Sequence, residues 1–182
     1  MKQLTKKELD VLAHFFEDPM EEVYLRELAR RIKMSAATAM RATQLLVKKN
    51  LLVKRVERNA TYFKANITPE FREMKKAHTV SKIFDAGVVG LIRERSAGLA
   101  SMLLYGSAAK GEDSPDSDYD FLVIASRCDV NSDELSGRLG RETNLKVFDA
   151  AGWKNVSKKN RAFYLDVISN SIPLYGEKPV ID

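Results

Sequence analysis

The 182-residue sequence predicts an α+β protein of two domains, a basic domain of helices with a β-hairpin and an acidic α/β domain. Helical spacing gives way to β-prone runs in the front third, whereas the back half mixes buried strands with short helices. The charge divides in the same way, with 14 basic against 8 acidic residues up to Thr68 and 10 against 13 from Gly98 onward. We therefore expect residues 1–67 and 98–182 to be separate domains with different partners.

Three helices are predicted in the basic domain. A capping-box sequence at residues 5–8 begins the first, which should run to about Asp18. Residues 24–33 repeat the helical spacing of apolar side chains and predict a second, shorter helix. Ser35 is a good N-cap for a third helix, which should end at Asn50, a residue that tolerates the left-handed conformation.

A hairpin follows the helices, because residues 51–56 and 61–65 are β-prone runs on either side of a polar, basic tip. With LRELARRIKMSAATAMRATQLLVKKNLLVKR at its centre, the segment 4–66 resembles the winged helix-turn-helix family of prokaryotic DNA-binding regulators. That resemblance implies binding of double-stranded DNA, with the third helix in the major groove and the hairpin, or wing, on the phosphate backbone. Winged helices also serve as protein-docking units, and sequence-specific DNA binding would normally need a homodimer. The expected DNA contacts are Thr38, Met40, Arg41, Lys48, Lys54, Arg55 and Arg58.

Residues 68–97 are expected to form a connecting helix packed on the second domain. Pro69 suits the first helical position, and apolar residues continue with broken periodicity to about Ser96. Gly87 and Gly90 weaken this helix locally, so the sequence leaves open whether it is one helix or two with a break near residues 78–82.

The stretch GSAAKGEDSPDSDYD, residues 106–120, holds two glycines and five acidic residues. Its aspartates begin like a calcium loop, but Phe121 and Arg127 stand where that loop needs glycine and glutamate. Its glycines have P-loop spacing, but the acidic pair 112–113 stands where a P-loop needs Lys and Ser or Thr. Neither template therefore explains the stretch.

A third template, G-S-x-x-x-G-x-x-x-x-x-S-D-x-D, matches at every fixed position. The stretch thereby resembles the nucleotidyltransferase superfamily of DNA polymerase beta, specifically its small prokaryotic members, the minimal nucleotidyltransferases. The resemblance implies a mixed-sheet α/β fold, a nucleoside triphosphate (NTP) as substrate and Mg²⁺ or Mn²⁺ as cofactor. The remaining acidic residues, Glu112, Asp113 and Asp116, are expected to be solvated loop positions. The matching residues are Gly106, Ser107, Gly111, Ser117, Asp118 and Asp120.

The residue types fit these roles. Strand alternation places the Asp118 and Asp120 side chains on one face, about 7 Å apart, where two carboxylates can converge on a metal ion. We therefore take both as catalytic and metal-binding residues. Small residues after the strand 102–105 let backbone amides approach a triphosphate, and Lys110 adds a cation. The expected nucleotide contacts are Gly106, Ser107, Lys110, Gly111 and Ser117.

The superfamily usually carries a third carboxylate on a neighbouring strand, here predicted at residues 143–149. The best-matching position holds Asn144, which can offer a metal ion its carbonyl oxygen but can neither supply charge nor act as a base. Glu142 and Asp149 lie close in sequence as alternatives. The sequence thus leaves three hypotheses: a transferase of nucleoside monophosphate to an acceptor hydroxyl, a winged-helix regulator that senses nucleotide with little catalysis, and an antitoxin-like protein that modifies or masks a toxin partner.

Further elements complete the second domain: a helix over 132–139, a helix over 157–170 and a short strand over 172–175. The beginning of the chain lacks an apolar leader and no segment is long enough to span a membrane, so we expect a cytoplasmic protein. One cysteine and two histidines are too few for a zinc site.

Overall fold

The computed structural model describes residues 4–181, which form two compact units divided between Lys75 and Lys76. In the first unit, three helices enclose a core against an antiparallel three-stranded sheet of order β1-β3-β2. Its elements are α1 (Lys6–Glu17), β1 (Val23–Tyr24), α2 (Leu25–Arg31), α3 (Ala36–Lys48), β2 (Leu52–Glu57) and β3 (Ala60–Ala65).

The capping interactions predicted at the ends of these helices are present. The Thr5 hydroxyl accepts a hydrogen bond from the Glu8 backbone N–H, and the Glu8 carboxylate accepts one from the Thr5 N–H, which completes the capping box. Asn50 follows α3 with a φ of 63°, the left-handed conformation expected of it. The two-residue strand β1 was not predicted, because only its pairing of Val23 with Phe63 creates it.

The connecting region consists of two helices, α4 (Pro69–Asp85) and α5 (Val88–Glu94). The break lies at residues 86–87 and not near 78–82, because Gly87 takes a left-handed φ of 69° that ends the first helix. Phe71 of α4 belongs to the core of the first unit, whereas Ile83 and the buried face of α5 belong to that of the second.

The second unit is built on a mixed four-stranded sheet of order β8-β6-β5-β9, in which β6 and β8 are parallel and the other pairs antiparallel. Helices α5 and α7 cover one face, and α8 and α9 cover the other. The remaining elements are β4 (Ser96–Ala97), β5 (Ser101–Tyr105), α6 (Gly106–Lys110), β6 (Tyr119–Ile124), β7 (Arg127–Cys128), α7 (Ser132–Leu139), β8 (Thr143–Phe148), α8 (Ala150–Lys159), α9 (Arg161–Asn170) and β9 (Ile172–Gly176).

The single helix predicted over residues 157–170 is wrong. Lys159 ends α8, and the Asn160 side chain accepts a hydrogen bond from the Phe163 N–H to begin α9. The helix α8 itself was missed, although Asp149 caps it by accepting a hydrogen bond from the Gly152 N–H at 2.6 Å. The basic residues near 158 therefore end a helix, where they complement its dipole.

None of the helices within residues 4–181 combines the length and apolar character needed to cross a membrane.

Candidate functional site

The register of the sheet brings the predicted metal-binding residues to one place. Asp120, on β6, lies opposite Asn144 on the parallel strand β8 and opposite Tyr105 on the antiparallel strand β5. Asp118 is two residues before Asp120 and therefore shares its face of the sheet. The three strands thus converge on one cluster of polar side chains at an end of the sheet.

Asn144 links the two aspartates directly. Its amide nitrogen donates one hydrogen bond to Asp118 Oδ2 and another to Asp120 Oδ1, each at 3.1 Å. Burial raises the pKa of Asp120, and the charge of Asp118 raises it further, whereas the Asn144 hydrogen bond and the charge of Lys146 oppose this. The amide therefore relieves part of the repulsion between two close carboxylates.

Gly106 is required at this site by the approach of Asp120. A Cβ atom on Gly106 would lie 2.4 Å from Asp120 Oδ2, and the φ of 74° is one that side chains rarely adopt. Gly111 has a φ of 69° and ends the short helix α6. The backbone conformation therefore favours glycine at both positions of the motif, and at Gly106 the missing side chain lets the Asp120 carboxylate lie against the turn.

The other predicted nucleotide contacts lie around this cluster with partners of their own. The Ser107 carbonyl accepts a hydrogen bond from the Glu112 N–H at 3.0 Å, which closes the turn after α6. Ser117 Oγ accepts one from the Ser114 N–H at 2.9 Å. Lys110 Nζ forms an ion pair with Asp166 of α9 at 2.8 Å and lowers the pKa of that carboxyl group. The charge of Lys110 is therefore already balanced within the protein.

Asp113 is not the solvated loop residue that the sequence predicts. It is 4% exposed and pairs with Arg141, whose Nη1 lies 2.8 Å from Asp113 Oδ2. The same guanidinium lies 4.7 Å above the ring of Tyr119, the residue between Asp118 and Asp120. This contact fastens the acidic loop to the strands that carry the site. Glu112 and Asp116 are exposed, as expected.

Replacing Asp113 with asparagine should lower the free energy of unfolding by about 2–3 kcal/mol, because the poorly exposed Arg141 loses its carboxylate. Urea denaturation of wild type and variant measures this loss. Asp116→Asn is the matched control on the exposed part of the loop and should change stability by less than about 0.5 kcal/mol. Equal effects of the two substitutions would show that the buried ion pair contributes nothing specific.

Two residues near the cluster escaped the sequence interpretation. Lys146 lies on β8 two positions after Asn144, and its Nζ is 5.0 Å from the ring centre of Phe163 and 5.9 Å from that of Tyr105. Burial and the charge of Asp120 raise the pKa of Tyr105 to about 12, so its phenol stays protonated at neutral pH. Strand alternation from Asn144 is the sequence signal that could have identified Lys146.

The chemistry of the cluster suits Mg²⁺, since carboxylate and amide oxygens are hard ligands of the kind this ion prefers. Asp118 and Asp120 would hold the ion, and Asn144 would join them only by turning its amide to present Oδ1. Within residues 4–181 no group of three His, Cys, Asp or Glu side chains converges at a possible metal site.

The structure separates the predicted DNA contacts into three groups. Arg41, Lys48, Lys54 and Arg58 are exposed, and no carboxylate pairs with them within the described part of the chain. Arg55 instead pairs with Glu22 and Glu57. The last two predicted contacts, Thr38 and Met40, are partly buried. Thr38 donates its backbone N–H to the N-cap Ser35, and Met40 is half-buried against the core of the first unit.

Comparison with known proteins assigns the second unit. Residues 88–168 match the family model of the nucleotidyltransferase domain. This segment is a nucleotidyltransferase domain. The matched range contains the whole acidic loop, Asn144 and most of α9, and it does not include the first unit. A search of curated proteins finds no significant match to the chain.

The chain is also similar to three solved structures of toxin–antitoxin proteins. One is a toxin–antitoxin with AMP-PNP, at 20% identity and a TM-score of 0.38, covering 54% of this chain and 74% of that one. Two are mutants of the toxin–antitoxin MntA–HpeT, at 19% and 16% identity and TM-scores of 0.39 and 0.37. They cover 52% and 50% of this chain and 73% and 71% of theirs.

Proposed function

We propose that the second unit transfers a nucleoside monophosphate from an NTP to an acceptor hydroxyl, with Mg²⁺ held by Asp118 and Asp120. The observation that carries this proposal is the convergence of the two aspartates with Asn144 beside Gly106, whose missing side chain lets the Asp120 carboxylate lie against the turn. The nucleotidyltransferase match over residues 88–168 agrees with it.

In this reaction the acceptor oxygen attacks the α-phosphorus, the bond to the bridging oxygen breaks and pyrophosphate leaves. Mg²⁺ bound at the site would neutralise phosphate charge and lower the pKa of the attacking hydroxyl. Gly106 and Ser107 would offer backbone amides to the phosphates. Because Asn144 cannot accept a proton, the hydroxyl proton would pass to solvent.

Incubation with Mg²⁺ or Mn²⁺ and each of the four labelled NTPs tests the proposal. The chain itself, DNA and cell extract serve as acceptors, since the structure indicates none. Label should enter one acceptor in a metal-dependent manner. Binding of nucleotide without any transfer would reject the enzyme and leave the second candidate.

The second candidate is a regulator whose domain binds nucleotide with little turnover, and Asn144 favours it. The amide hydrogen-bonds both carboxylates without supplying a third negative charge or a base. Masking or modifying a protein partner, as an antitoxin does, is compatible with either candidate. Capture of label on a partner protein from the extract would distinguish modification from masking.

For the first unit, we propose a winged helix-turn-helix domain that binds double-stranded DNA. Its order of elements and its hairpin agree with that family, and Arg58 occupies the hairpin turn. Cations on α3 and the hairpin that pair with no carboxylate among the described residues support phosphate contacts. Sequence-specific binding would require a homodimer, with one winged helix on each of two half-sites.

Replacing Arg41 with alanine should weaken binding of duplex DNA about tenfold, because its guanidinium is exposed on α3 and pairs with no carboxylate of residues 4–181. Fluorescence anisotropy at several salt concentrations measures the affinity, which should fall steeply with salt. Arg161→Ala removes an exposed arginine from the second unit and serves as the control. Binding that is absent or insensitive to salt would point to protein docking instead.

A further inference from the structure

Lys146 is the one cation that reaches the candidate site without an ion-pair partner among the described residues. It follows Asn144 by two positions on β8, so the two side chains share a face of the sheet. Its register partner Leu122 is fully buried, whereas Lys146 itself is exposed. The side chain therefore lies at the open border of the site.

The surroundings of the ammonium group are aromatic. Nζ lies 5.0 Å from the ring centre of Phe163 and 5.9 Å from that of Tyr105, and these rings are themselves in edge-to-face contact. Rings at this distance attract a cation but leave its hydrogen-bond donors unused. The ammonium group is thus held in place while its donors remain available to an anion.

Lys110, the cation that the sequence singles out, is placed differently. Its Nζ is bound to Asp166, which also accepts a hydrogen bond from Asn170 at 2.7 Å. Moving Lys110 to a phosphate would leave the Asp166 carboxylate without this cation. Moving Lys146 to a phosphate would break no ion pair among the described residues, because its ammonium group contacts the rings of Phe163 and Tyr105.

We propose that Lys146, and not Lys110, contacts the phosphate chain of the bound nucleotide, an inference that rests on the proposed nucleotide-binding function. The negative charge at the site supports it. A triphosphate that approaches Asp118 and Asp120 adds to their charge, and a cation on the same face offsets it. The aromatic rings keep the ammonium group there before the nucleotide arrives.

Binding of inorganic tripolyphosphate with Mg²⁺, measured by isothermal titration calorimetry, tests this inference because every NTP shares that chain. Lys146→Met keeps the contact with the rings and removes the charge, so we expect affinity to fall about tenfold or more. Lys146→Gln should behave alike, and Lys146→Arg should retain most of the affinity. Thermal unfolding of each variant confirms that it is folded.

The matched control is the double variant Lys110→Gln with Asp166→Asn, which removes the ion pair without changing net charge. It should bind tripolyphosphate within about threefold of wild type. Wild-type affinity in both Lys146→Met and Lys146→Gln would overturn the inference and leave the proposed function standing. If wild type binds neither tripolyphosphate nor any NTP, both the inference and the proposed function fail.

Discussion

Replacing both Asp118 and Asp120 with asparagine should lower nucleotidyl transfer about a thousandfold. The substitutions remove both charges that would hold Mg²⁺, and a metal ion contributes several kcal/mol to the stabilisation of charge in such a transition state. The rate of label transfer from the preferred NTP, measured at saturating Mg²⁺, gives the effect directly.

The loss should be chemical and not structural. Burial raises the pKa of Asp120, which means that its ionised form costs folding free energy at neutral pH. A neutral amide removes that cost, so the double variant should unfold at the same temperature as wild type or above it. Glu112→Gln with Asp116→Asn changes charge equally at exposed positions of the same loop and should leave transfer unchanged. Transfer that survives the first double substitution would place the chemistry elsewhere.

The parts of the site that the sequence predicts are those set by short-range rules. Asp118 and Asp120 share a face because strand side chains alternate, and Gly106 is needed because the turn after β5 requires a positive φ. Such rules do not predict the hydrogen bonds of Asn144 to both aspartates. It depends on β6 and β8 being parallel and in the register that sets Asp120 opposite Asn144.

The interactions that were missed join residues far apart in the chain. Asp113 looks like a polar loop residue until Arg141, 28 positions later, covers it. The ion pair between Lys110 and Asp166 joins residues 56 positions apart, so the sequence alone did not reveal it. Charge and loop composition show which side chains could form an ion pair. The fold determines which residue becomes the partner.

The helices were predicted where capping and apolar spacing agree. The helix α1 has a complete capping box and a continuous buried face, and its bounds were predicted within a residue. The helix α8 buries only Trp153 and Ser157 and contains Gly152, so its sequence has little helical pattern to recognise. Its boundary with α9 depends on a single capping residue, Asn160.

Asn144→Asp is the substitution that separates the enzyme from the regulator. It would place a third carboxylate against Asp118 and Asp120, where the wild-type amide donates hydrogen bonds to both. Without a divalent cation the three charges repel, so the variant should be less stable than wild type by about 1 kcal/mol. With the cation it gains a ligand and a base, and transfer should rise about a hundredfold.

Two measurements distinguish the outcomes. The shift of the unfolding temperature on adding Mn²⁺ should be larger in Asn144→Asp than in wild type, because binding to the folded state stabilises it. Asn155→Asp adds the same charge at an exposed position of α8 and should alter neither this shift nor transfer.

A larger shift with raised transfer means that Asn144 restrains an intact transferase site. A larger shift with no transfer means that the site binds metal and nucleotide as a sensor. No change in either quantity would show that position 144 is not the missing ligand, and the hydrogen bonds to Asp118 and Asp120 would then be structural.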